Sequence, residues 1–154
     1  MGMRCRAFII FFIVGVSFSG TASAGDFTKQ FGQAVADGDV VEVVRILDRG
    51  ADINTRNKEG ETALMVASLE GRGEIVKLLL ARGADANIMD SVGATALLYA
   101  AVGGSADIMK LLLDRGADPD AKTNDGESAL SISLIKGNKA AVDVLQKAKG
   151  KHKK

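Results

Sequence analysis

A period of 33 residues runs through this chain and constrains its fold more than any other feature. The tripeptide Gly-Ala-Asp occurs at 50–52, 83–85 and 116–118. Glycines recur at 60, 93 and 126 and again at 38, 71, 104 and 137, and leucines recur at 64, 97 and 130. Self-similarity at a fixed spacing of roughly 20 to 50 residues is the signature of a repeat array, in which each unit is one supersecondary structure. The chain is therefore predicted to be a stack of similar units.

Each unit has the pattern of two short helices. Leu64, Ala67 and Ser68 in the segment ALMVASLE follow the i, i+3, i+4 spacing of one helix face. The segments EIVKLLLAR and DIMKLLLDR carry the second helix in two successive units. Hydroxyl residues precede the first helix, where they can cap free backbone N–H groups; they are Thr62, Thr95 and Ser128. The recurring glycines follow the helices, where a left-handed residue ends a helix.

These segments resemble the ankyrin-repeat family. The stretches ETALMVASLEGRGEIVKLLLARGADAN and ATALLYAAVGGSADIMKLLLDRGADPD have that family's Gly-x-Thr opening, mid-repeat glycine, leucine-rich second helix and Gly-Ala-Asp exit. The family's Thr-Pro-Leu-His motif is changed here to Thr-Ala-Leu-Met, Thr-Ala-Leu-Leu and Ser-Ala-Leu-Ser. The resemblance covers residues 27–148 and implies an all-α repeat fold, an ankyrin solenoid of about four helix-turn-helix repeats with short hairpin connections.

The predicted organisation is a signal peptide at 1–24, an ankyrin-repeat domain at 25–148 and a basic disordered tail at 149–154. The repeats span approximately 25–56, 57–89, 90–122 and 123–148. Solenoids need polar outer faces on their terminal units, and in the first unit Glu42 and Arg45 replace residues that are aliphatic in later units. The polar residues of the last unit are Ser131, Ser133, Lys136, Lys139, Asp143 and Gln146. The array is therefore predicted to be complete at both ends.

The N-terminal segment predicts export. Arg4 and Arg6 form a positive start, residues 7–16 form an apolar run, and Ala22-Ser23-Ala24 supplies a small-residue cleavage site. Cleavage after Ala24 predicts a periplasmic or secreted protein without stable membrane insertion; a retained anchor and a eukaryotic secretory route are the alternatives. Cleavage would also remove Cys5, the only cysteine, and with it any disulfide or thiolate chemistry.

The remaining residues argue against catalysis and against cofactors. His152, the only histidine, lies at the lysine-rich end, so no Ser-His or Cys-His pair can form on an ordered element. No metal site is predicted, and a calcium site at Asp118, Asp120 and Asn124 is a weak alternative because the spacing is unlike an EF-hand loop. The carboxylates that repeat at 52, 85 and 118 are interpreted as turn residues. The 18 basic and 19 acidic residues of 25–154 give no electrostatic reason to expect nucleic acid.

Binding of another protein is the function that the resemblance implies, with a monomer expected. The implied surface is the hairpin tips and the concave face of the first helices. The candidate tip residues are Lys58, Glu59, Glu61, Met89, Ser91, Val92, Ala94, Asn124, Asp125 and Glu127. The candidate concave residues, two before each mid-repeat glycine, are Ala36, Leu69, Val102 and Ile135. Their side chains either form an exposed apolar ladder for a partner or only fill space against the hairpins.

Two roles fit such a module. The first is a protein that binds an exported partner as its inhibitor, protector or accessory. The second is a secreted effector or envelope structural protein that engages a host or cell-surface component. Neither the partner nor the consequence of binding is encoded in a motif. The basic residues at 147–154 are interpreted as a solvated end, with binding to anionic lipid or nucleic acid as the alternative.

Overall fold

A computed structural model of the chain describes the backbone of residues 24–152 and the side chains of residues 28–150. Within that part, eight α-helices form four consecutive pairs. They are α1 (Ala24–Asp37), α2 (Val40–Asp48), α3 (Ala63–Leu69), α4 (Gly73–Ala81), α5 (Ala96–Gly103), α6 (Ala106–Asp114), α7 (Ala129–Ile135) and α8 (Lys139–His152). First helices pack on the first helices of neighbouring units, and second helices on second helices. The predicted all-α repeat solenoid is confirmed.

The predicted signal peptide lies outside these residues except for Ala24, which begins α1. Among the helices of residues 24–152, none is both long enough and apolar enough to cross a bilayer.

The core is a continuous aliphatic layer between the helix pairs. Leu64 and Leu97 of the first helices, and Ile75 of a second helix, are each 1% exposed. Fully burying one such side chain is worth about 1.5–3 kcal/mol, so the stack is held by apolar contact between units. Ala67 and Ala100 are 0% exposed, so small side chains occupy the contact between successive first helices.

The backbones of α3 and α5 approach each other closely. A methyl group added to Gly103, the last residue of α5, would lie 2.5 Å from the carbonyl oxygen of Leu69 and 3.0 Å from that of Ser68. Both obstacles are backbone atoms, which cannot rotate away as a side chain can. Gly103 is therefore required by packing, although neighbouring repeats carry Glu70 and Lys136 at the same place.

The glycines predicted to end helices do so. Gly71, between α3 and α4, has a φ of 70°, and Gly83, after α4, has a φ of 90°. Side chains other than that of glycine rarely adopt this left-handed conformation.

All three predicted residues stand at N-cap positions, and two of them make the expected side-chain hydrogen bond. Thr62 Oγ1 accepts a bond from the backbone N–H of Met65 at 3.4 Å. Ser128 Oγ accepts from the N–H of Ser131 at 3.2 Å, and the Ser131 hydroxyl accepts from the Ser128 N–H at 2.8 Å. Thr95 Oγ1 is buried without a hydrogen-bond partner. Thr95 therefore occupies the N-cap position of α5 without capping the helix through its side chain.

In the first unit, the two predicted surface residues Glu42 and Arg45 form an ion pair with each other. The last unit differs from the prediction. Ser133 is 0% exposed because it occupies the small-residue contact position and donates to the carbonyl oxygen of Ala129 at 2.8 Å. Leu134 and Ile135 are instead 59% and 62% exposed. The last first helix therefore leaves an apolar surface uncovered.

The disordered tail predicted from residue 149 is wrong for residues 149–152, which continue α8 as far as His152. Lysine has a good helix propensity, and positive charge near a helix C-terminus is favourable. Lys149 also forms an ion pair with Asp120 at 2.6 Å, which ties the end of α8 to the preceding hairpin. Residues 153–154 lie outside the described part of the chain.

We predict that Gly103→Ala lowers the free energy of unfolding by about 1–3 kcal/mol, because the added methyl group meets fixed carbonyl oxygens. In an unobstructed helix the same change is stabilising by up to about 1 kcal/mol. Gly73→Ala is the matched control, since nothing lies within 4 Å of a methyl group at that helical glycine. Urea unfolding of both variants checks the prediction, and equal stabilities would contradict it.

Candidate partner-binding surface

Three hairpins connect the helix pairs, and each tip is closed by one polar side chain at an equivalent position. Asn57 Oδ1 accepts from the N–H groups of Glu59 at 3.0 Å and Glu61 at 2.8 Å. Asp90 Oδ1 accepts from those of Val92 at 2.9 Å and Ala94 at 2.8 Å. In the third tip, Thr123 Oγ1 accepts from the N–H of Glu127 at 3.1 Å. The side chains of Asn, Asp and Thr favour such local bonds to the backbone, so each tip has a defined shape.

The three tips are also bonded to one another. The Ser91 N–H donates to the Glu59 carbonyl oxygen at 3.0 Å, and the Asn124 N–H donates to the Val92 carbonyl oxygen at 2.9 Å. The approach is close, because a methyl group on Gly93 would lie 2.9 Å from Asn124 Oδ1. We call this row of tips, residues 57–61, 89–94 and 123–127, the hairpin edge. Its backbone is fixed both within each tip and between tips.

The repeated aspartates shape the turns that lead into the tips, as the sequence predicts. Asp85 Oδ1 accepts from the N–H of Asn87 at 2.8 Å, and Asp52 and Asp118 make the same bond two residues on. Asn87 then reaches the next unit, where its Oδ1 accepts from the Asp118 N–H at 2.8 Å. These carboxylates therefore serve the connection between units.

A buried tyrosine, Tyr99, links the first and middle tips through hydrogen bonds on the core side of the hairpin edge. Tyr99 is 3% exposed, and its hydroxyl lies 2.8 Å from Glu61 Oε1 and 2.8 Å from Asp90 Oδ2. The hydroxyl carries one proton and can donate to only one carboxylate at a time. Burial raises the pKa of Tyr99 well above its ordinary value of 10.0, and the hydrogen bonds to Glu61 and Asp90 raise it further.

The structure corrects the prediction for two of the candidate contact residues, Ala94 and Glu61. Ala94 is 4% exposed and lies in the core, because it begins the buried segment that leads into α5. Glu61 is half-buried: one carboxylate oxygen accepts from Tyr99 and the other from the Asn57 side chain at 2.7 Å. Glu61 thus supports the hairpin edge from beneath.

The other tip residues lie on the surface. Met89 and Val92 of the middle tip are 48% and 42% exposed. The polar side chains that flank them at the surface are Lys58, Glu59, Ser91, Asn124, Asp125 and Glu127. The structure therefore brings an apolar pair to the centre of the edge, with polar residues around it.

The residues of the proposed apolar ladder differ in solvent exposure along the stack. Ala36, Leu69 and Val102 are half-buried, and Leu69 packs against the core. Ile135 is 62% exposed. The space-filling interpretation thus fits Leu69 best, and the exposed interpretation fits Ile135 best.

Sequence reasoning missed the bonds among Tyr99, Glu61 and Asp90. A signal was present, because Tyr99 is the only tyrosine and stands where Val66 and Ile132 stand in neighbouring repeats. A phenol buried at an aliphatic position needs a partner for its hydroxyl.

Among the side chains of residues 28–150, no group of three or more His, Cys, Asp or Glu residues is placed to hold a metal ion. Of the residues weighed for calcium, Asp118 accepts a backbone bond and Asp120 is paired with Lys149.

Comparison with models of known protein families matches this chain to one family. The family model described as ankyrin repeats, in three copies, matches residues 31–123 and 71–154. A search of curated proteins found no match.

We predict that Tyr99 keeps its proton in the folded protein far beyond its ordinary pKa of 10.0. The unfolded chain ionises near pH 10 and the folded chain does not, so the stability due to this group is present below about pH 10 and lost as the pH rises above it. Phenolate absorbance, which reports the single tyrosine alone, should appear only together with loss of the helical circular dichroism signal. In Tyr99→Phe, the unfolding free energy should fall less steeply above pH 10. Phenolate absorbance near pH 10 with the helical signal intact would contradict the prediction.

Proposed function

Because the chain belongs to the ankyrin-repeat family, whose repeats are generally protein-binding modules, we propose that it binds a partner protein through the hairpin edge and acts without catalysis. The exposed end of the apolar ladder extends the same surface.

The observation that carries the proposal is the exposed apolar pair on a fixed backbone. Met89 and Val92 are 48% and 42% exposed on a tip that is bonded to both neighbouring tips. Association normally costs free energy for ordering loops at the interface. A tip whose backbone is already ordered avoids most of that cost, so its apolar side chains can contribute nearly their full burial to affinity.

The charge around the pair suggests the chemistry of the partner. Lys58 and Glu59 lie on one side, and Asp125 and Glu127 lie on the other. Interfaces commonly have an apolar centre and a polar rim. The partner is therefore proposed to offer an apolar pocket for Met89 and Val92 within a polar surface of mixed charge.

We further propose that the partner is met in the periplasm or outside the cell, where this protein acts as its inhibitor, protector or accessory. Support comes from the positive start, apolar run and Ala22-Ser23-Ala24 site of the first 24 residues.

The export proposal predicts that the protein recovered from the cell envelope or the medium begins at Gly25. N-terminal sequencing of that fraction is the measurement. A start at Met1, or recovery from the cytoplasm alone, would contradict it.

The binding proposal predicts that a photo-crosslinking residue at position 92 captures a partner in intact cells, and that one at position 41 does not. Val41 is the matched control because it is 68% exposed and lies on α2, outside the hairpin edge. Once the captured partner is purified, Met89→Asp together with Val92→Asp should weaken its binding by tenfold or more, since roughly 1–3 kcal/mol of apolar burial is lost.

The stability of the double variant should stay within about 0.5 kcal/mol of the parent, because both sites are at the surface. Equal capture from positions 41 and 92, or undiminished affinity of the double variant, would overturn the proposal.

A further inference from the structure

In the last unit, Leu134 is exposed at a position that is buried in every earlier repeat. Leu134 is equivalent to Val35, Ser68 and Ala101, which are 0%, 0% and 1% exposed because the next unit packs on them. Leu134 itself is 59% exposed. A solvated cap would have a polar side chain here, so this position departs from the pattern of a simple end.

Leu134 lies in a shallow open groove between α7 and α8. The groove is lined by Ser133, Leu134, Gly137, Lys139, Val142 and Asp143. Lys139 and Lys147 are both exposed and stand one turn before and one turn after Asp143 on α8, which places the three on one helix face. We call Leu134, Lys139, Val142, Asp143 and Lys147 the end face.

The end of the chain that carries this face is strongly basic, and the rest is acidic. Residues 129–154 contain seven lysines and one acidic residue, whereas residues 25–128 contain 11 basic and 18 acidic residues. The nearly neutral total therefore hides two regions of opposite charge. The excess of positive charge at this end favours an anionic partner.

We propose that the end face binds the surface of anionic phospholipid membranes. Lysines attract anionic headgroups, and an exposed leucine beside them can enter the boundary between headgroups and acyl chains. Residues 129–154 contain no arginine, phenylalanine, tyrosine or tryptophan, the residues typical of nucleic-acid contacts and of protein hot spots. The contact is adsorption on the surface, distinct from insertion.

The charge distribution also orients the bound molecule. The acidic region at residues 25–128 is repelled by the same headgroups that attract the end face. The array would therefore stand away from the membrane with its hairpin edge accessible. This inference is independent of the partner-binding proposal, because the two surfaces share no residue.

The test is co-sedimentation of the full chain with vesicles of phosphatidylcholine, either pure or containing about one third phosphatidylglycerol. We expect at least about tenfold stronger binding to the anionic vesicles, weakening steeply with added salt. Lys139→Glu with Lys147→Glu should lose about tenfold or more of that binding. Leu134→Ser should lose a few-fold while keeping the preference for anionic lipid.

The matched control is Lys29→Glu with Lys77→Glu. Both lysines are exposed and lie on α1 and α4, in the first two units, so the control changes the net charge equally at a distance from the end face. It should stay within about twofold of the parent, since surface attraction falls off over a Debye length. All variants and the parent retain the same N-terminal segment, so differences in lipid binding between them report the substituted residues. Circular dichroism checks that each variant is folded.

Three results would overturn the proposal. Equal binding to neutral and anionic vesicles is one, and an equal loss in the control pair is another. The third is tight binding of duplex DNA at a salt concentration where anionic vesicles are not bound, which would assign the basic end to nucleic acid.

Discussion

The contact between successive first helices is the constraint on which the rest of the structure depends. At α3 and α5 the backbones approach so closely that only a glycine fits at position 103, and alanines fill the positions between them. This spacing brings neighbouring hairpins within hydrogen-bond distance, so that Ser91 can bond to Glu59 and Asn124 to Val92. A wider stack would leave three separate loops. The fixed hairpin edge thus follows from small residues that lie elsewhere in each repeat.

Features that depend on a few neighbouring residues could be predicted from the sequence. The left-handed glycines, the turn aspartates and the two-helix unit each follow from a local rule. The same residues recur every 33 positions, so each rule applies in several units. The family match confirms the ankyrin-repeat fold. The failed cap at Thr95 shows the limit of such reasoning, because equivalent sequence positions do not guarantee equivalent bonds.

Features that join distant residues could not be predicted in this way. Tyr99 meets Glu61, which lies 38 residues earlier, at a distance that depends on how two units stack. The burial of Ala94 likewise depends on the neighbouring hairpin. The repeat pattern is least informative in the last unit. It identifies the residues that a following unit would bury, but it does not predict whether they are buried there. The exposed Leu134 and the continuation of α8 therefore depart from the predicted polar end and disordered tail.

The hairpin edge and the end face differ in how their residues contribute to the stability of the fold. This difference explains how a small repeat array can present two binding surfaces. The chain from residue 25 onward has no cysteine, so its stability comes from packing shared among nearest-neighbour interfaces. The exposed side chains of the hairpin edge contribute little to that packing, because backbone bonds and buried groups such as Tyr99 hold the tips. The end face is the interface that a further repeat would have used. Its exposed leucine occupies a position that is buried in the earlier repeats, and the charge of the neighbouring lysines favours an anionic surface as its cover.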